Sequence, residues 1–218
     1  MKLLDDLRRE HELVENMVGS LRTYVARRAA GSAPSDDAAG YLRFFRLYAG
    51  RYHHAREEQV LFPALIQETE VPADHGPIAV LLEDHHAMAT TLEELAPLLV
   101  ADREGGGDAR LGSLVERYGK ALLRHIDAEN SVLFTESEAR FKRAGISELA
   151  DRAPDAEELA ARGDGERLVL AHPPSDFPDL IRGDGCMACE AYGTRCDGVE
   201  REWWSDVQWE DFFHQNDD

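Results

Sequence analysis

Long amphipathic segments are the feature that most restricts the fold of this chain. Apolar residues recur at three- and four-residue steps over four segments, at about 2–29, 36–70, 78–102 and 109–143, with charged residues between them. This period is typical of helices that bury one face. Turn-forming runs separate the segments, among them three glycines that start at Gly105. Four such helices with short breaks predict an all-α fold, an up-down-up-down four-helix bundle.

Two of these helices carry a histidine and a glutamate on the face that the apolar pattern turns towards the core. The pairs are His54 with Glu58 and His125 with Glu129. Residues i and i+4 share a helix face, so each pair places an imidazole beside a carboxylate. A carboxylate in a core is costly unless it is paired or bound to a metal. The two pairs therefore indicate a metal site.

The first and third helices each add one inward histidine, four residues after a leucine. His11 follows Leu7, and His85 follows Leu81. The two halves of the chain thus present the same set with a period near 70 residues, which predicts two pseudo-symmetric helical hairpins. Facing helices of a bundle build metal sites from side chains that project inward. The candidate metal ligands are His11, His54, Glu58, His85, His125 and Glu129.

Four imidazoles and two carboxylates suit two iron or manganese ions better than calcium or magnesium, and zinc remains an alternative. A single inward histidine is more often an ordinary core residue. Six metal-competent residues in phase on four helices reverse that expectation, because each unsatisfied buried group would cost about 1–3 kcal/mol. A metal-free helical scaffold is the competing interpretation.

The helical register of the second helix has an alternative. His53 and Glu57 form an equal pair one residue earlier, but the stripe that they share is less apolar. We therefore expect Glu57 to point outward, and His53 to lie at the surface or to support a ligand. His85 is preferred to its neighbour His86 because it lies on the leucine stripe. Tyr118 is expected either to support a ligand or to be a buried core tyrosine.

These motifs resemble the hemerythrin-like (HHE cation-binding) family. The residues that carry the resemblance are Glu10-His11, His54-x-x-x-Glu58, Asp84-His85 and His125-x-x-x-Glu129, in this order within residues 1–143. The resemblance implies a non-haem di-iron centre bridged by Glu58 and Glu129. It also implies that one iron takes His11 and His125, and the other His54 and His85.

One departure from the family pattern bears on function. Oxygen-carrying hemerythrins have a fifth histidine four residues after the third-helix ligand, and this chain has Ala89 there. The chain thus resembles the four-His/two-Glu subgroup, which includes di-iron proteins of iron–sulfur cluster repair linked to nitric oxide and peroxide stress. Their amino-terminal cysteine-bearing segment is absent from this sequence. The resemblance implies a protein that binds and reacts with O2, peroxide or nitric oxide. The alternative is an oxygen- or iron-sensing or carrier module that signals to a partner through its C-terminal tail.

Composition divides the chain of 218 residues into a predicted bundle domain, 1–145, and an acidic C-terminal extension, 146–218. The net charge is −19, and residues 154–218 contribute 17 acidic but only 5 basic groups. Such acidity argues against nucleic acid and anionic membrane surfaces as partners. Without an apolar run of about 20 residues or a secretory signal, the sequence predicts a cytoplasmic protein. The expected partners are a small diatomic or peroxide ligand and a protein partner or electron donor.

The extension carries a cysteine motif of its own. Cys186, Cys189 and Cys196 form C-x2-C-x6-C, which suits one structural zinc ion. The candidates for a fourth ligand are His172, His214, Asp184 and Asp197. A redox-active dithiol and free cysteines are the alternatives. Around this motif the extension is expected to be irregular, with a short helix at 154–163 and a brief strand at 167–171.

Overall fold

The structure is a computed structural model that describes residues 1–32, 36–69, 71–74, 76–101, 109–180 and Arg182. Its α-helices are α1 (Lys2–Ala29), α2 (Asp37–Arg43), α3 (Phe62–Thr69), α4 (Gly76–Val100), α5 (Ala109–Ala128), α6 (Phe134–Arg143) and α7 (Ala156–Ala171). Three π-helical segments interrupt them at Phe44–His54, Glu57–Leu61 and Glu129–Leu133. Within the described residues there is no strand, and no helix has the length and apolar character that a membrane span requires. The predicted all-α class is confirmed.

Four helical rods form the bundle. The first is α1 and the third is α4. The second runs from α2 through two π-helical segments to α3, and the fourth runs from α5 through the third π-helical segment to α6. The fourth rod packs along the first and the third, and α3 packs on α6. The predicted helical bundle is therefore confirmed.

The interior of the bundle has two apolar clusters with a polar layer between them. The order along α1 is Leu3, Leu4 and Leu7, then His11, then Val14, Met17 and Val18. The order along α4 is Ile78 and Leu81, then His85, then Met88, Leu92 and Leu95. Both histidines are buried. The apolar periodicity of the sequence thus brings the inward histidines of different rods to one level of the bundle.

The C-terminal extension forms a seventh helix instead of the expected short helix and strand. Helix α7 begins with a capping box, in which Asp155 and Glu158 each accept a hydrogen bond from the other's backbone N–H at 2.8 Å. It continues through Gly163 to Ala171, so the predicted stop and strand are wrong. The apolar run Leu168–Leu170 is too short to separate strand from helix by period. Leu168 is buried against the bundle, and this burial favours the helical conformation.

Glycines let this extension pack closely on the bundle. Gly165 of α7 lies against the ring of Phe44, and a Cβ at Gly119 would collide with the ring of Phe177. The backbone N–H of Ser175 also donates to the carbonyl of Gly19 at 3.2 Å. As a result the extension supplies buried side chains to the larger apolar cluster, namely Ala161, Leu168, Phe177 and Leu180.

Candidate metal centre

Seven side chains of the polar layer form two adjoining groups of potential metal ligands. One group contains His54, Glu57, His85 and His125, and the other contains His11, His53, Glu57 and Glu129. Within each group the ligand atoms lie within 4.8 Å of one another. Glu57 belongs to both groups. This arrangement of imidazoles around a shared carboxylate fits two neighbouring metal ions.

The structure brings together five of the six predicted ligands: His11, His54, His85, His125 and Glu129. It places the sixth, Glu58, at the edge of the site. The Glu58 side chain is 38% exposed, and its Oε1 accepts a hydrogen bond from Nδ1 of His85 at 2.7 Å. Glu57, in contrast, is completely buried. The expectation that Glu58 points inward and Glu57 outward is therefore wrong.

The π-helical segments explain this difference in register. A π-turn closes with i→i+5 hydrogen bonds, so the segment holds more residues per turn than an α-helix. Phe44–His54 and Glu57–Leu61 are both π-helical, so positions inferred from an α-helical period are displaced there. As a consequence His53 is buried beside His54, and both belong to the ligand groups. Sequence reasoning thus missed Glu57 and His53 as site residues.

The two buried glutamates each face both groups. Oε1 of Glu57 lies 3.4 Å from Nε2 of His53, and its Oε2 lies 3.6 Å from Nε2 of His85. Oε2 of Glu129 lies 3.2 Å from Nε2 of His11, and its Oε1 lies 3.3 Å from Nε2 of His125. Each carboxylate therefore directs one oxygen to each half of the site, as a bridging ligand does.

Unsatisfied polar atoms in the centre provide the test of whether a metal fits. Among the described residues, all four carboxylate oxygens of Glu57 and Glu129 and Nε2 of His11 are buried without a hydrogen bond. Burial and the nearby charge of Glu129 raise the pKa of Glu57 well above its usual value. Burial also opposes ionisation of Glu129, but His125 and His11 hold its pKa well below the usual value. Bound cations would satisfy these atoms and let both carboxylates ionise.

The outer nitrogens of four histidines have polar partners. Nδ1 of His11 lies 2.9 Å from an oxygen of Asn130, and Nδ1 of His53 lies 2.9 Å from an oxygen of Glu10. Nδ1 of His85 lies 2.7 Å from an oxygen of Glu58, and Nδ1 of His125 lies 3.4 Å from an oxygen of Asp84. Such a partner fixes the ring orientation and leaves Nε2 for a metal. The Nε2 atoms of these four histidines face Glu57 or Glu129. This arrangement is typical of metal-ligating histidines.

Burial keeps three of the histidines neutral. It lowers the pKa of His53 to about 4 and that of His54 well below 6.5, and it lowers the pKa of His85 although Glu58 opposes the effect. Burial acts on His125 too, but Glu129 and Asp84 outweigh it and raise its pKa to about 9. Since a metal binds the neutral ring, His125 must release its proton when a metal binds.

The grouping of the histidines differs from the one that the family resemblance implies. His54, His85 and His125 belong to one group, whereas His11 lies with His53. The expected pairing of His11 with His125 is therefore not found. A fifth histidine is present as well, but it comes from the second rod as His53 and not from the exposed position of Ala89. One group thus has three imidazoles and the other has two.

His86, Tyr118 and His172, three other candidates from the sequence, belong to neither ligand group. His86 is exposed and its Nδ1 donates to the carbonyl of Leu82 at 2.8 Å. Tyr118 is buried with its ring 5.2 Å from that of Phe45, and burial raises its pKa. His172, a suggested zinc ligand, is 2% exposed, and its two ring nitrogens lie 2.8 Å from Asp37 and 3.2 Å from Arg27. The predicted cysteine site, Cys186, Cys189 and Cys196, lies outside the described residues.

Fold and site together define a helical-bundle protein with a cluster of histidines and carboxylates that fits metal cations. Comparison with known families agrees: the family model described as Hemerythrin HHE cation binding domain matches residues 2–136. The chain belongs to this hemerythrin family. No curated protein and no solved structure gives a significant match.

Proposed function

We propose that this chain is a non-haem di-iron protein that binds and reacts with O2, peroxide or nitric oxide. The observation that carries the proposal is the pair of buried carboxylates, Glu57 and Glu129, each of which faces histidines of both ligand groups. A mixture of imidazole and carboxylate ligands suits iron. Hemerythrin-like domains bind small ligands such as O2, which supports the ligand class.

The proposal assigns the ligands as the two groups suggest. His54, His85 and His125 would hold one iron, His11 and His53 the other, and Glu57 and Glu129 would bridge them. This assignment replaces Glu58 with Glu57 and adds His53. Iron bound in this way would supply a reversible one-electron change of oxidation state and a coordination position open to a small ligand. With two histidines instead of three, the His11 group would leave more coordination positions for that ligand.

The protein around the centre restricts what can reach it. The ring of Phe134 stacks on that of His11 with centroids 5.5 Å apart, and Leu7 and Phe134 are fully buried on this side. An apolar wall admits small neutral molecules and disfavours hydrated ions, because a desolvated charge is costly. Glu57 holds a proton in the metal-free protein because its pKa is raised, and it releases that proton when a cation binds.

A binding or sensing role is the second candidate, and the three-plus-two arrangement of histidines favours it. Ala89 stands where oxygen carriers have a fifth histidine, and on this ground the sequence favoured a reactive protein over a carrier. His53 supplies a fifth imidazole and removes this argument against reversible binding. In this role ligand or iron occupancy would be reported to a partner protein through the C-terminal extension.

Turnover distinguishes the two roles. The iron-loaded, reduced protein is mixed with hydrogen peroxide, O2 or nitric oxide under excess reductant, and consumption is followed per pair of irons. A reactive centre consumes many equivalents, whereas a binding or sensing module stops after about one. The Glu57→Gln variant serves as the control without a complete site. Equal consumption by the variant and the original protein would contradict both roles.

A further inference from the structure

Arg56 is a buried charged side chain that the metal site itself does not use. Its side chain is 1% exposed and lies between two carboxylates. Nη1 donates to Glu10 at 2.6 Å, while Nε and Nη2 donate to the two oxygens of Asp151 at 2.9 and 2.7 Å. A buried guanidinium is tolerated only when such partners compensate its charge. Arg56 therefore depends on Asp151, which lies in the segment between α6 and α7.

On its inner side Arg56 reaches the candidate metal centre through one residue. The second oxygen of Glu10 accepts a hydrogen bond from Nδ1 of His53 at 2.9 Å. Glu10 is thus held from both sides, by Arg56 and by His53. A carboxylate in this position orients the imidazole and raises its basicity as a ligand.

On its outer side the same network reaches the start of α7. Arg152 follows Asp151 in the chain and donates to both oxygens of Glu158 at 2.7 and 2.8 Å. The ring of Tyr52 lies under both guanidinium groups, with Arg56 4.6 Å and Arg152 5.0 Å from its centroid. Charge-assisted contacts therefore continue from His53 to the capping box of α7.

We propose that Arg56 and Asp151 are positioning residues for the metal in the His11 group, and that they couple this metal to the C-terminal segment 151–158. Asp151 holds Arg56, Arg56 holds Glu10, and Glu10 directs Nε2 of His53 to the centre. By thermodynamic linkage, a metal that binds better to the oriented His53 also stabilises the docked segment. The inference rests on the metal centre proposed above.

The coupling is specific for one of the two groups. The outer partners of His85 and His125 are Glu58 and Asp84, whose side chains are 38% and 46% exposed. Neither of these carboxylates is hydrogen-bonded to residues 151–158 in the described part of the chain. Loss of the docked segment should therefore weaken the binding of one metal ion and leave the binding of the other unchanged. A general loss of stability would not produce this asymmetry.

The test compares Asp151→Asn with Glu157→Gln. Both variants remove one negative charge from the same region, but Glu157 is exposed and pairs with Arg51, and in the described part of the chain it contacts none of Arg56, Glu10 and His53. Anaerobic titration with ferrous iron against a chromogenic chelator resolves the two binding steps. We expect one step of Asp151→Asn to be weakened by about 10-fold or more. The other step, and both steps of Glu157→Gln, should stay within about 2-fold of the original protein.

Two results would overturn the inference: unchanged binding in Asp151→Asn, or equal weakening of both steps. If this variant fails to fold, hydrogen exchange of the original protein decides. Ferrous iron should slow exchange of the backbone amides in 151–158, and an unchanged rate would refute the coupling. If the original protein binds no iron at all, the proposed function has failed, and this outcome is distinct from both others.

Discussion

Glu57 and Glu58 are neighbours in the sequence but lie in opposite environments. Glu57 is completely buried between the two groups of histidines, while Glu58 is 38% exposed and supports His85 from outside. The sequence did contain a signal for this register. His53, Glu57, Leu61 and Leu65 follow one another at steps of four and are all buried. The predicted register instead followed an α-helical stripe with steps of three and four residues, and this stripe includes Glu58.

Replacement of Glu57 tests the assignment of the bridging residue. Glu57→Gln should lose most bound iron because both groups lose a shared ligand, whereas Glu58→Gln should keep close to the original content. Elemental analysis of the two purified variants measures this. Equal losses in both variants would contradict the register.

The same substitution should stabilise the metal-free protein. The folded-state pKa of Glu57 is raised, so its contribution to stability is present below its usual pKa of 4.5 and is lost as the pH rises through the folded-state value. At neutral pH the metal-free Glu57→Gln protein should therefore be more stable than the original protein, because an amide side chain carries no ionisation penalty. Urea unfolding in the presence of a chelator measures this difference, and a less stable variant would contradict a raised pKa of Glu57.

At the scale of the elements, periodicity predicted the four rods but not their local winding. Leucines on α1 and α4 repeat with a clear helical step, and His125 with Glu129 lies inward as predicted. No residue type marks a π-helix, so the widened turns at Phe44–His54 could not be read from the sequence. Helix α7 was misread because its buried contacts with the bundle, not its period, determine its conformation.

The close packing of the extension can be tested at Gly119 of α5. Gly119→Ala places a methyl group into the ring of Phe177 and should destabilise the protein by about 1–3 kcal/mol. Gly112→Ala is the matched control on the same helix, where a Cβ meets nothing among the described residues. It should stabilise by about 0.5–1 kcal/mol through helix propensity. Thermal unfolding measures the stability of both variants. Equal changes in stability would mean that Phe177 does not pack against Gly119.

The start of α7 should respond to acid. A hydrogen bond from Arg152 and the backbone N–H of Asp155 lower the pKa of Glu158 to about 2, although burial opposes this. The resulting stability is present above the usual pKa of 4.5 and is lost as the pH falls towards 2. The protection of the α7 amides, measured as their exchange rate relative to the intrinsic rate at the same pH, should therefore decrease over this range. Glu158→Gln should remove the pH dependence, whereas the exposed Glu166→Gln should retain it; the same profile in all three proteins would contradict the prediction.

At the scale of the whole molecule, the two apolar clusters enclose a layer of five histidines and two glutamates. The sequence predicted this layer, because in-phase histidines on separate helices can meet only inside a bundle. It could not predict how they divide into groups, since that depends on the winding of the second rod. Without bound cations, the side-chain oxygens of Glu57 and Glu129 have no hydrogen-bond partner among the described residues. Metal binding would therefore also stabilise the fold.

Elemental analysis of the purified chain, produced in cells supplied with iron and zinc, distinguishes a di-iron centre from a metal-free helical bundle. We expect two irons per chain at the seven-residue centre. No metal above background, or zinc in place of iron at this centre, would contradict this expectation.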